Sequence, residues 1–221
     1  HPVAHSFPTR RSSDLATPKA VTEVIAEIVK HFDWKGNIGC GFPAVIQKGV
    51  VRTASNIANE WIGVNAAEMF TQKTSCPTTI VNDADAAGLA EMKFGAGRNF
   101  DGFVILITVG TGIGTVLFTQ GKLVPNTELG HIMLDGMVAE NFAADRVRKE
   151  KDLSWKAWAK RFDKYLNRIE FLLWPDLIIL GGGVSKKMDK FKEYLTLKTE
   201  IIPAGLRNHA GIIGAAVSAM K

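Results

Sequence analysis

Apolar residues at Val21, Val24, Ile25, Ile28, Val29 and Phe32 recur with a 3.6-residue period, which predicts an amphipathic helix. Thr17 is placed to cap it and Pro18 suits its first position; Asp33 to Gly36 ends it. The pattern then changes. Ile38 to Phe42 reads as a short strand, and Val45-Ile46 and Val50-Val51 flank Gln47-Lys48-Gly49 as a hairpin. Thr78 to Val81 is a β-rich run that stops at Asn82-Asp83, and Ala84 to Phe94 reads as a helix closed by Gly95 and Gly97. Gly102 to Val109 predicts a buried strand, which Gly110-Thr-Gly-Ile-Gly114 turns back into Thr115 to Phe118; Gly121 begins a further return. Glu140 to Lys149 reads as helical, and Trp155, Trp158, Phe162, Leu166, Ile169 and Leu173 mark a long helix stopped at Pro175. Leu177 to Leu180 is a strand running into Gly181-Gly182-Gly183, and Ala210 to Met220 is a helix of small residues. Strands alternate with helices, so the predicted class is α/β. Glycine and charge cluster at Gly95 to Asp101, which divides a first lobe, 16–97, from a second, 98–221, with the final helix packing back toward the first.

Composition narrows this picture more than it adds to it. With 46% hydrophobic and 22% charged residues the 221-residue chain has globular proportions. Its longest apolar stretch, Phe103 to Val109, is far short of the ~20 residues of a membrane span, so no membrane partner is expected. Two cysteines, Cys40 and Cys76, exclude a disulfide framework or a four-thiolate zinc site and point to a reducing, cytoplasmic setting. A net charge of +5 does not argue for nucleic acid. His1 to Leu15 has neither helical nor strand periodicity, and no apolar run follows Arg10-Arg11, so it is no secretory signal. SFPTRRSSDL resembles translated sequencing-adapter read-through; residues 1–15 are therefore expected to be non-native, with the natural sequence beginning near Ala16.

Five places offer chemistry. Asn82-Asp83 ends a strand and precedes a helix, where ligands bind in open α/β sheets; a carboxylate there accepts a hydroxyl proton, or else Asp83 or Asp85 simply caps the helix. The turn Gly110-Thr111-Gly112 lets backbone N–H groups approach an anion, or is an ordinary glycine-rich hairpin. Gly181-Gly182-Gly183 is a second such turn; neither is a Walker loop or a dinucleotide fingerprint. Glu128 and His131 lie three apart, able to hold a polyol or to serve a structural role. Finally, residues 146–164 carry +5, the excess of the entire chain, as a solvated helix face or as a track for a polyanion.

Gly41-Phe-Pro43, Asn56 with Trp61, Asn82-Asp83, Gly110-Thr-Gly-Ile-Gly114, Glu128-x-x-His131, Gly181-Gly-Gly183 and Ala210-Gly-x-x-Gly-Ala-Ala216 occur in an order that resembles the ROK family of sugar kinases and repressors. The runs GVVRTASNIANEWIGVNA, VPNTELGH and WPDLIILGGGVS are similar to that family's polyphosphate glucokinases, which also lack the cysteine-rich zinc loop after the histidine. The resemblance implies an actin-like ATPase (ribonuclease H-like) fold of two lobes with a cleft between, and transfer of a terminal phosphoryl group from polyphosphate, and ATP, to the 6-hydroxyl of glucose. It implies Asp83 as general base and Asn56, Asn82, Glu128, His131 and Glu140 as sugar-binding residues. Gly110, Thr111, Gly112, Gly182 and Gly183 would face the donor phosphates, with Lys149, Lys156 and Lys160 as a polyphosphate stripe. It implies Mg2+ arriving with the donor, no zinc, no metal held by protein ligands alone, and a homodimer. Two other readings share the fold: an ATP-only hexokinase, and a non-catalytic sugar-sensing repressor. The family's first phosphate motif, an Asp-x-Gly-Gly hairpin, is not found from His1 to Lys30, so the first strands of the N-terminal lobe are expected to be missing and this chain by itself to be inactive.

Overall fold

The structure, a computed structural model, describes residues 16–54 and 57–220; the segment expected to be non-native lies outside the described residues. The chain forms two compact units, one running to Ala87 and taking back the chain from Gly211, the other spanning Gly88–Ala210.

The first unit opens with α1 (Pro18–His31), where the Thr17 hydroxyl accepts the Ala20 N–H at 3.3 Å. Strand β1 (Ile38–Phe42) follows, then β2 (Ile46–Gln47) and β3 (Val50–Val51), α2 (Ala66–Thr74), β4 (Thr78–Asn82) and the start of α3 (Asp83–Phe94), whose residues from Gly88 onward belong to the second unit. β1 and β4 are parallel, in register from Ile38↔Thr78 to Phe42↔Asn82, so Gly41-Phe-Pro and Asn82-Asp83 emerge at neighbouring strand ends. The core beneath them is Phe42, Ile46, Val51, Trp61, Ala66, Phe70 and Ile80, with Val21 and Ile25 of α1 against it. Trp61 meets Phe42 edge-on at 4.8 Å and donates its indole N–H to Ala16 O at 2.6 Å. The C-terminal helix, Ala210–Ser218, packs here at backbone contact. A Cβ on Gly39 would fall 1.8 Å from Ala215 O, and one on Gly214 would fall 1.5 Å from Ala86 O. Only glycine permits that approach on either side, which is the physical content of the small-residue sequence in this helix.

The second unit is built on β5 (Phe103–Val109), β6 (Ile113–Thr119) and β7 (Lys122–Val124), the hairpin β8 (Met133–Leu134) and β9 (Met137–Val138), helices α4 (Ala139–Ala143), α5 (Asp145–Glu150) and α6 (Trp155–Leu173), then β10 (Leu177–Gly182) and β11 (Glu200–Pro203). Five strands form one sheet in the order β11-β10-β5-β6-β7, with β10 parallel to both β5 and β11 and β6 antiparallel to β5. Ser154 caps α6, whose buried face sets Trp158, Phe162, Leu166 and Ile169 on Ile105, Ile107, Ile178 and Leu180. Trp158 stacks on Phe162 at 5.0 Å and donates to Ala143 O at 2.9 Å. The buried Glu91 carboxylate accepts the N–H groups of Ala96, Gly205 and Leu206, so its charge is met by backbone dipoles. The stretch expected as one helix over 140–149 is two. Ala144, at ψ 157°, breaks it, and the chain resumes helical geometry in a new direction at Asp145.

Candidate functional site

In the first unit Asn82 and Asp83 share the start of α3, and their tasks differ. Asn82 Oδ1 accepts the Ala84 and Asp85 N–H groups at 2.9 and 3.2 Å, while its amide donates to Ala44 O at 3.0 Å. The helix cap is therefore Asn82, and neither Asp83 nor Asp85 is needed for it. This leaves Asn82 tied to backbone through both ends of its amide. Asp83 keeps one oxygen on the Ala84 N–H at 2.8 Å and stays open to solvent. Desolvation by the surrounding protein pushes its carboxyl above the usual carboxylate value, against the lowering pull of the Ala84 and Asp83 N–H groups. A carboxylate that is accessible and more basic than an ordinary aspartate suits a proton acceptor. Asn56, expected to bind sugar, lies outside the described residues.

In the second unit Glu128, His131 and Glu140 come together although twelve positions separate the outer two in sequence. His131 Nδ1 lies 3.5 Å from Glu128 Oε2 and Nε2 lies 3.6 Å from Glu140 Oε1, so the ring stands between two carboxylates. All three side chains retain solvent access. The short helical turn Leu129–His131 that carries the histidine is laid on β6: Thr115 Oγ1 donates to Thr127 O at 2.6 Å and accepts the Leu129 N–H at 2.9 Å. Gly130 passes so close that a Cβ there would be 2.0 Å from Ile113 O. Glu140 enters from the opposite side, on the first turn of α4 after the β8–β9 hairpin. The arrangement gathers two carboxylates and an imidazole, groups able to accept from and donate to hydroxyls. Among the described residues no group of three His, Cys, Asp or Glu side chains is placed to hold a metal ion.

The two glycine turns meet in the same unit. Val109 and Gly182 are register partners on parallel strands, so the turn Gly110-Thr111-Gly112 and the turn at Gly182-Gly183 leave adjacent strand ends on the side where α/β sheets bind ligands. Gly182 has φ +76°, and a Cβ would lie 2.3 Å from Val109 O; glycine is required there by both backbone and space. Around Gly110 and Gly183 nothing lies within 4 Å of an added Cβ, so the backbone is open to a ligand. Glu140 Oε2 accepts the Ile113 N–H at 3.4 Å, which joins the acidic cluster to this turn.

Of the expected lysine stripe the structure makes less. Lys149 ends α5 in an ion pair with Asp145 at 2.8 Å, and the bend at 151–154 separates it from Lys156 and Lys160, which lie on α6; the three do not share a helix face. Lys156 sits over the Tyr194 ring. Sequence reasoning missed a different cation, Arg146, which reaches the first glycine turn: its N–H donates to Gly110 O at 3.1 Å and its Nε to Thr111 O at 3.2 Å. Nothing in the charge run distinguishes it, because only the break at Ala144 turns it that way.

The ROK family's sequence model matches residues 5–145. The polyphosphate glucokinase of Mycobacterium tuberculosis (strain CDC 1551 / Oshkosh) is 47% identical over 206 residues, covering 93% of this chain and 78% of that protein. Its Mycobacterium leprae (strain TN) counterpart is 47% identical over 92% of this chain, which spans 63% of that protein. Among solved structures, the inorganic polyphosphate/ATP-glucomannokinase from Arthrobacter sp. strain KM superposes with a TM-score of 0.84 at 42% identity, over 93% of this chain and 84% of that one. A ROK glucokinase from Streptomyces griseus, solved with glucose and AMPPNP, shares the fold at a TM-score of 0.77 and 22% identity, over 92% of this chain and 88% of that one. The α/β fold is that of the actin-like ATPases, and this chain belongs to the ROK family.

Proposed function

We propose that the protein is a glucose phosphotransferase, moving the terminal phosphoryl group of inorganic polyphosphate, and of ATP, to the 6-hydroxyl of glucose. The observation that carries this reading is the 47% identity, over nearly the whole chain, to polyphosphate glucokinases. The reading assigns each working part to residues of the chain. Asp83 takes the hydroxyl proton as that oxygen attacks the terminal phosphorus. The bond from phosphorus to the bridging oxygen breaks, and the shortened polyphosphate, or ADP, leaves with the electron pair. Glu128, His131 and Glu140 hold sugar hydroxyls, and the turns at Gly110–Gly112 and Gly182-Gly183 present backbone N–H groups to the donor phosphates. Magnesium keeps most of its ligands as water and phosphate oxygens, so a donor that brings it in needs few protein carboxylates; when bound it neutralises charge on the phosphates. Both cysteines are free thiols, in keeping with a cytoplasmic setting.

The test is formation of glucose 6-phosphate by protein expressed from the complete gene, with polyphosphate and ATP assayed in parallel. Transfer from polyphosphate is the expected result. Transfer from ATP alone would reduce the reading to an ATP hexokinase, and transfer from neither would overturn it.

A further inference from the structure

We infer that Arg146 both sets the Gly110–Gly112 turn and binds the donor phosphate there. This rests on the phosphotransferase reading, and it names a residue that the glycine pattern alone does not.

Three observations converge. First, the turn is fastened through its carbonyls. Arg146 N–H takes Gly110 O, Arg146 Nε takes Thr111 O, and Gly110 N–H takes Gly112 O at 3.0 Å. With all three of its carbonyls engaged, the turn keeps donors to spare: among the described residues the Thr111 and Gly112 N–H groups have no protein acceptor. Second, Arg146 is held in place. Nη2 donates to Asn141 Oδ1 at 3.1 Å, so two edges of the planar guanidinium are occupied and the Nη1 edge remains. Third, its charge is unmatched. Arg148 and Lys149 share Asp145, and Lys164 has Asp135, whereas among the described residues no carboxylate lies within ion-pair distance of Arg146. A guanidinium that donates only to neutral oxygens keeps its charge available, and an anion bound at the turn would pair with it. A phosphate bound at the turn would draw on these two backbone N–H groups and on the charge of the guanidinium that fastens it.

The experiment is calorimetric titration of the full chain with tripolyphosphate, and separately with glucose, across a salt series. It uses wild type, Arg146→Lys, Arg146→Ala and Arg168→Ala, the last removing an exposed α6 cation that the site does not use. Arg146→Ala is expected to weaken tripolyphosphate about 10–100-fold, the usual worth of a charge-assisted contact, and to reduce the slope of log affinity against log salt by roughly one. Arg146→Lys keeps the charge but not the fork, and should fall between. Arg168→Ala should stay within about twofold. Unchanged tripolyphosphate affinity and salt slope in Arg146→Ala overturn the proposal. If that variant melts well below wild type, Arg146→Lys decides on the same terms. A wild-type chain that binds glucose but no tripolyphosphate removes this proposal and spares the sugar site. One that binds tripolyphosphate through Arg146 but no glucose does the reverse.

Discussion

The two units place reactive groups at the same topological position and use different parts of the chain to do so. In the first, neighbouring parallel strands β1 and β4 end at Phe42 and Asn82, and what they deliver is a side chain, the Asp83 carboxylate. In the second, β5 and β10 end at Val109 and Gly182, and what they deliver is backbone, bent by glycine and fastened by Arg146 and Glu140. The supports differ as well. Two strands with a core around Trp61 and Phe70 carry the first, and a five-stranded sheet under the Trp158–Phe162 stack carries the second. A side chain needs only a correct helix start, which Asn82 supplies. A backbone cradle needs both of its strands in register and its carbonyls engaged elsewhere, which the larger sheet and Arg146 provide.

The sharpest break in this comparison is chemical. Asp83→Asn should lower kcat by roughly 10²–10⁴-fold with a much smaller change in glucose KM, because a positioned base is lost while the Asn82 cap is untouched. Steady-state kinetics decide this, and a variant with near-wild-type kcat would remove Asp83 from the mechanism. The pH profile carries the same information. The folded carboxyl titrates above its usual value because burial disfavours the charged form, so the acid limb of kcat/KM should lie above the ordinary aspartate range. For stability the sign reverses. A raised folded value means that the contribution of this group is complete at low pH and is lost as pH rises through that value. At neutral pH, Asp83→Asn should therefore melt no lower than wild type.

The second break is structural. Trp158 is fully buried, stacked on Phe162 and bonded to Ala143 O. Trp158→Ala should cost about 3–5 kcal/mol, and hydrogen exchange should show the loss of protection along β5 and β10. Protection lost evenly across β1 and β4 as well would mean that the two units do not unfold separately. The third is smaller and lies in the first unit. Gly39→Ala places a methyl 1.8 Å from Ala215 O, where backbone must move, and should cost about 1–3 kcal/mol or more. Gly110→Ala, where nothing lies within 4 Å, should leave the melting temperature unchanged and act on donor binding alone. Equal melting losses for the two would refute the division between packed and open glycines.

How much of this was written in the chain follows the same division. The α6 stripe, the buried strand ending at Val109 and the Thr17 cap are local patterns, and each stands within a residue or two of where periodicity puts it. Asn82-Asp83 could be located but not apportioned, since Asn82, Asp83 and Asp85, three polar residues within four positions, can each cap a helix and only the structure shows that Asn82 does. Helix α2 carried a readable signal in Asn65, whose Oδ1 accepts the Glu68 N–H at 3.1 Å, yet its weakly patterned apolar face hid it. Strand β11 is four residues ending in proline and gains its identity only from pairing with β10. The break at Ala144 has neither glycine nor proline to announce it. It arises from tertiary packing, with Ala143 and Ala144 wholly buried, and so the role of Arg146 could not be read from spacing.

The smallest effect concerns the lysines. Were polyphosphate drawn along a continuous stripe, Lys149, Lys156 and Lys160 would contribute alike. The structure separates them: Lys149 is paired with Asp145, whose carboxyl, desolvated by burial, is nonetheless held below its usual value by Lys149 and Arg148. That pair draws on the lysine's charge before any donor arrives. Lys156 and Lys160 are exposed, four apart on one face of α6, and suit contact with a chain long enough to extend beyond the glycine turns. A double Lys156→Ala/Lys160→Ala variant should therefore raise KM for long polyphosphate by about threefold to tenfold, leave KM for ATP nearly unchanged, and flatten the salt dependence for polyphosphate by roughly two contacts. Lys149→Ala should do less to either donor and more to stability at neutral pH, where Asp145 would lose part of the pairing that offsets its burial. Equal loss of both donors in the double variant would mean that these lysines act on the turn itself, and no loss of either would leave Arg146 and the backbone as the whole of the donor site.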